Sequence, residues 1–158
     1  MSIGKCKAPT FTKNSNMVKT STAQNIGRYT LGIFLVLAGT GHLSFQRTAF
    51  AAQVPPWLPL NPDLVVLLSG AVEIALGLSL LLLYKQRTKV GWIVAVFFVF
   101  VFPGNIAQLV EHRDAFGLDT DLKRWLRLPF QPVLIAVALW STGAWLAWRK
   151  NARGAGAN

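Results

Sequence analysis

Four stretches of this sequence contain almost nothing that water would hold. Residues 29–45 carry no acid or base except His42, and residues 64–84 carry one charge, Glu73. Residues 90–110 and 128–148 carry none. A helix of roughly 20 apolar residues crosses the ~30 Å hydrocarbon layer of a bilayer. Bare backbone polar groups are not tolerated there, so runs of this kind must be helical. The sequence therefore predicts an all-α fold, a four-helix transmembrane bundle with spans at about 29–45, 64–84, 90–110 and 128–148. The first run is short and extends back through Ile26 if Arg28 sits at the membrane interface. Of all residues 53% are hydrophobic and only 14% charged, where a soluble domain has about 25% charged. That excludes a disordered chain. A water-soluble helical bundle is the competing reading, but its helices would keep a polar stripe, which these runs lack.

Orientation follows from the basic residues beside the spans. The N-terminal tail (1–28), the segment at 85–89 and the C-terminal tail (149–158) hold eleven Lys and Arg and no acid. The opposite side holds five bases, Arg47, Arg113, Lys123, Arg124 and Arg127, against five acids, Asp63, Glu111, Asp114, Asp119 and Asp121. Basic residues stay on the cytoplasmic side, which places both termini there and the protein in the cell (inner) membrane. The same layout explains the net charge of +10 with no nucleic-acid partner: the bases face anionic lipid heads. Trp92, Trp145 and Trp148 lie near span ends and Trp57 and Trp125 just outside, as in an interfacial aromatic belt. The polar, acid-free first 28 residues are a solvated tail or an organelle transit peptide. One cysteine, Cys6, leaves no internal disulfide or CxxC pair.

An ionisable group in hydrocarbon is costly and marks a functional candidate. Glu73 lies near the middle of the second span, where a carboxyl group is expected to keep its proton. Gly70 and Gly77 share its helix face, and Gly32 and Gly39 repeat their seven-residue spacing in the first span. Small residues in register let helices approach closely, so spans one and two are expected to pack with Glu73 turned inward. His42, Asn105, Gln108, Arg127 and Gln131 all fall toward the outer ends of their spans. With Glu73 they form one candidate polar site in the outer half of the bundle. The apolar loop Val54-Pro55-Pro56-Trp57-Leu58-Pro59 lies on that side as a lid. Each residue also has a plainer reading. Glu73 can be packing glue between helices, His42 a satisfied interface histidine, and Asn105 a cap where Pro103 removes a backbone donor. Arg127 can snorkel to head groups.

Taken in order, Ala38-Gly39-Thr40-Gly41-His42, Pro55-Pro56-Trp57-Leu58-Pro59, Ser69-Gly70-Ala71-Val72-Glu73, Phe102-Pro103-Gly104-Asn105-Ile106-Ala107 and Arg127-Leu128-Pro129-Phe130-Gln131 resemble the DoxX-like membrane proteins, from about Arg28 to Trp148. Thr40-Gly41 before the histidine and the long N-terminal tail depart from the family pattern. The resemblance implies a four-helix membrane bundle. It also implies association with quinol-oxidase or thiosulfate:quinone oxidoreductase complexes, redox-stress complexes or, in animals, receptor assembly.

Three functions follow as expectations. The first is an accessory or assembly subunit of a membrane complex, with membrane or redox partner proteins. The second is a quinone-binding subunit of a membrane oxidoreductase, in which His42 or Glu73 takes quinol protons and Phe98 and Phe102 flank the ring. The third is a small solute transporter, for which no inverted repeat is evident. Quinone is the one cofactor the residues suggest, and no metal-ligand cluster is expected. Two histidines, His42 and His112, cannot build a haem–copper centre, and a bis-His haem would need both turned inward.

Overall fold

The structure is a computed structural model and describes residues 18–117 and 119–155. The tail expected at 1–28 thus lies outside the described residues up to residue 17, as does the end of the C-terminal tail. Among the described residues the protein is all-helical: α1 (Thr22–Leu43), α2 (Arg47–Ala51), α3 (Pro62–Leu82), a 3₁₀ turn (Tyr84–Gln86), α4 (Arg87–Val110), α5 (Asp121–Arg127), α6 (Phe130–Ser141) and α7 (Ala144–Ala155).

Local chemistry sets the helix starts. Ser21 and Gln24 form a reciprocal capping box, which satisfies two donors that a helix start leaves open. α1 therefore begins at Thr22, seven residues before the apolar run. Asn61 caps α3, with Pro62 in its first turn, where a missing N–H costs nothing. The plainer reading of Asn105 as a cap at Pro103 does not hold, since α4 continues through Pro103 to Val110. The fourth apolar run is not one straight helix. It divides at Thr142–Gly143, where the α5–α6 segment and α7 meet at 68°; Gly143 has φ +71, a conformation costly for any residue with a Cβ.

Two helices, Pro62–Leu82 and the continuous 84–110 segment, are long and apolar enough to cross a membrane. A third is reached if the bent pair made by α5–α6 and α7 is one span. α1 is not among them: Arg28, His42 and four glycines between residues 26 and 43 lower its mean hydropathy.

α1 runs antiparallel to α3, and α4 antiparallel to α6; α1 also touches α6, and α3 touches α4. The α1–α3 contact is backbone on backbone. A Cβ at Gly39 would stand 2.6 Å from the Gly70 carbonyl oxygen, and one at Gly77 2.7 Å from that of Gly32. Leu31, Leu35, Leu80, Val90, Val94, Phe98 and Ala138 form the apolar core. It fills the half of the molecule where α3 hands over to α4. The exterior is equally apolar, with Phe100 78% and Leu37 66% exposed, a face suited to lipid rather than water.

Two bases read as flanking residues are buried instead. The Arg28 guanidinium donates to the Leu80 carbonyl in the last turn of α3 and lies over the Tyr29 and Tyr84 rings at 4.3 and 5.4 Å. A cation there complements the negative end of the helix dipole. Arg87 donates to the Val18 carbonyl, tying the segment before α1 to the start of α4.

Candidate functional site

The other half of the molecule is built around a cavity of about 470 Å³. His42 reaches it from the end of α1, Glu73 from the middle of α3, Asn105 from α4, Arg127 from the end of α5 and Gln131 from the first turn of α6. Five of the six residues singled out in the sequence thus line one space. The sixth, Gln108, is buried just beside it. The Gln53 side-chain amide lies between Gln108, at 3.1 Å, and the Arg127 guanidinium, at 2.6 and 2.8 Å. With its oxygen turned to the guanidinium, Gln53 accepts both hydrogen bonds.

The hydrogen bonds fix the His42 tautomer. The Ser69 hydroxyl donates to the Val66 carbonyl at 2.9 Å, so it offers His42 only lone pairs. His42 Nδ1 lies 2.9 Å from that hydroxyl and 3.3 Å from the Val66 carbonyl. Both neighbours are acceptors, so Nδ1 carries the hydrogen. In a neutral ring Nε2 then presents a lone pair toward Glu73 Oε2, 3.5 Å away, too long for a good hydrogen bond. One proton placed between them serves both groups, as a carboxylic acid facing imidazole or as a carboxylate facing imidazolium. The α1–α3 glycines bring the pair together, since Gly70 lies directly under the His42 Cβ.

Beside this pair, Asn105 Nδ2 donates to Gln131 Oε1 at 3.0 Å, and Gln131 Nε2 to the Phe98 carbonyl at 2.7 Å. Two buried oxygens of the cavity wall, Glu73 Oε2 and Asn105 Oδ1, have no hydrogen-bond partner among the described residues. Buried polar atoms left open cost about 1–3 kcal/mol each, so they are places where a ligand donor would be welcome.

Aromatic rings close the space. Phe50 of α2 stacks on His42 with centroids 3.4 Å apart, Phe116 meets Phe50 edge-on at 4.6 Å, and Arg127 lies 5.0 Å over Phe116. Phe98 lines the cavity, whereas Phe102, expected to flank a ring, does not. A second, more apolar cavity of about 330 Å³ reaches the far side of His42 and Glu73; Val54, Pro55, Trp57 and Leu58 of the proline-rich loop wall it. Arg113 holds that loop by donating to the Val54 carbonyl at 3.1 Å. The backbone of Gln53 approaches α4 at Gly104, where a Cβ would stand 2.8 Å from its carbonyl oxygen. No cluster of metal-ligating side chains occurs among the described residues.

Ser69, Phe50, Gln53 and Phe116 were not singled out from the sequence. Ser69 was legible in principle, one helical turn before Glu73 on the same face. Phe50 and Gln53 come from a region whose short helix has no strong pattern, and Phe116 owes its position to a left-handed backbone (φ 56).

Residues 31–142 match a protein family described as a domain of unknown function (DUF8561). The chain belongs to this family. The DUF8561 region contains every residue that lines the cavity and ends at Thr142, where α6 stops, leaving α7 outside it. No curated protein and no solved structure matches the chain.

Proposed function

We propose that this protein is a four-helix membrane bundle, similar to the DoxX-like proteins, which holds a quinone head group in the cavity and serves as the quinone-binding subunit of a membrane oxidoreductase. Its spans are α1, α3, α4 and the bent α6–α7 unit. Both termini lie on the cytoplasmic side of the cell membrane, a reading supported by the acid-free basic residues at that end.

The observation that carries the functional reading is the cluster of His42, Glu73 and Asn105, with two unsatisfied oxygens, at a cavity in an otherwise apolar protein. A quinol has two hydroxyls across a flat apolar ring, donors that match the open Glu73 and Asn105 oxygens, and its oxidised form offers two carbonyls to the Arg127 guanidinium. The cavity has hydrogen-bonding groups from five helices and flat walls from Phe50, Phe98 and Phe116. A bound quinone would supply two-electron chemistry coupled to protons, with the electrons passing to or from a partner subunit. This chain's own part is to orient the head group through Asn105, Gln131 and Arg127. His42 and Glu73 keep one exchangeable proton within reach of the cavity, away from bulk water.

Titrating the purified protein with a short-chain quinol, and separately with its quinone, tests this. Saturable binding is expected, and Glu73→Gln, which replaces the carboxyl that shares a proton with His42 by an amide that cannot exchange one, is expected to weaken quinol binding by about tenfold, the worth of one good hydrogen bond. No binding, or equal affinity in Glu73→Gln, overturns the proposal. A second reading, an accessory or assembly subunit without a ligand, is favoured by the Asn105–Gln131–Phe98 chain, which is largely closed on itself. Its signature is a stoichiometric protein partner that co-purifies without any quinone.

A further inference from the structure

We propose that the bend between α6 and α7 is a binding site for an acidic phospholipid, with an acyl chain in the groove of the bend and the phosphate on the basic row of α7. The inference rests on the membrane reading above and is independent of quinone binding. An apolar groove of about 490 Å³ runs along the bend, walled by Pro132, Ile135, Leu139 and Trp140 from α6 and by Trp145 and Leu146 from α7. Gln24 also lines it, but its side-chain amide already donates to the Trp140 carbonyl at 2.7 Å, so the groove asks for an apolar occupant.

What lies beyond the groove gives that occupant a head. Arg149 follows Trp145, and Lys150 follows Leu146, by one helical turn on the same face; Arg153 lies one turn further. All three are exposed, and none forms an ion pair among the described residues. α7 contains no acid. An apolar slot thus passes directly into an unneutralised basic row, the order in which a phospholipid presents chain and phosphate. Trp145 and Trp148, with ring centroids 5.1 Å apart, stand at the junction, the depth tryptophan prefers in a bilayer. Because α7 leaves the α5–α6 segment at 68°, α6 standing along the membrane normal leaves α7 at a shallow angle to the membrane plane, its basic end at the interface, the setting in which a helix with an apolar and a basic face binds anionic lipid. An acidic peptide would neutralise the bases but would leave the groove unfilled.

The test uses the full chain reconstituted in phosphatidylcholine bilayers with a small fraction of phosphatidylglycerol or phosphatidylcholine carrying brominated acyl chains, which quench nearby tryptophan. Brominated phosphatidylglycerol is expected to quench severalfold more than the zwitterionic lipid at equal mole fraction. Arg149→Gln combined with Lys150→Gln and Arg153→Gln should abolish the excess. Arg149→Lys with Arg153→Lys, which keeps the charge, should retain it. Trp140→Phe with Trp145→Phe and Trp148→Phe should remove it by removing the reporters at the groove and its junction. Equal quenching by the two lipids, an excess that survives loss of the three bases, or an excess that persists without these three tryptophans each overturns the proposal. Failure of quinone binding leaves this result untouched.

Discussion

At Gly70 a single methyl group decides whether α1 and α3 can lie together. A Cβ there would fall 2.6 Å from the Cβ of His42 and 3.0 Å from the Gly39 carbonyl oxygen. Neither neighbour is the free end of a flexible chain, so the helices would have to separate. Gly70→Ala is expected to destabilise the protein by about 1–3 kcal/mol, the usual cost of overpacking, and to displace His42 from Glu73. Thermal unfolding in detergent checks this, with Ala71→Leu on the exposed face as the substitution expected to melt like the parent; a Gly70→Ala protein as stable as the parent would contradict the close packing. The seven-residue glycine spacing made this contact legible in the sequence, as did the inward turn of Glu73. Arg28 was not legible. Its partner, the Leu80 carbonyl, lies 52 residues away, and no local pattern distinguishes a guanidinium that caps a distant helix from one that lies at a head group.

Among the elements, the α6–α7 break departs most from the apolar pattern. Hydropathy reads 128–148 as continuous, because Thr142 and Gly143 are too mild to interrupt it. The backbone turns there for steric reasons. Gly143 takes a left-handed conformation, and the Thr142 side chain occupies the space where Gly91 of α4 lacks a Cβ. Thr142 Oγ1 also donates to the Ala138 carbonyl at 2.7 Å. Gly143→Ala should therefore cost about 1–2 kcal/mol, read as a lowered Tm, and should reduce the preference for phosphatidylglycerol, since the groove exists only while the bend does. An unchanged Tm would mean that the bend is not held by this glycine. α2 makes the complementary point. Five residues carry no periodicity worth reading, yet α2 and its C-terminal edge place Phe50 and Gln53 against His42 and Arg127.

Over the whole molecule, charge and polarity are both asymmetric along the helices. One half is a dry core and the other holds the polar cavity, beneath loops tied by Arg124 to Asp121 and Asp114 and by Arg113 to the proline-rich loop. The orientation proposed above, with the basic end in the cytoplasm, makes the native Cys6 a topology probe. In right-side-out vesicles a membrane-impermeant maleimide should spare Cys6 until the membrane is permeabilised. In a Cys6→Ser background, Asp119→Cys should be labelled at once. Immediate labelling of Cys6 would reverse the orientation. The sequence alone determined that the chain is helical, that long apolar helices dominate it and that its polar residues gather at one end. Those properties are set residue by residue, through exclusion of water and internal hydrogen bonding of the backbone. Tertiary structure alone decided that Ser69 fixes the His42 tautomer, that Phe50 and Phe116 wall the cavity, that Arg28 is buried and that the fourth run bends. These depend on helix rotation and on contacts between residues far apart in the chain, where a shift of an ångström changes which atoms meet.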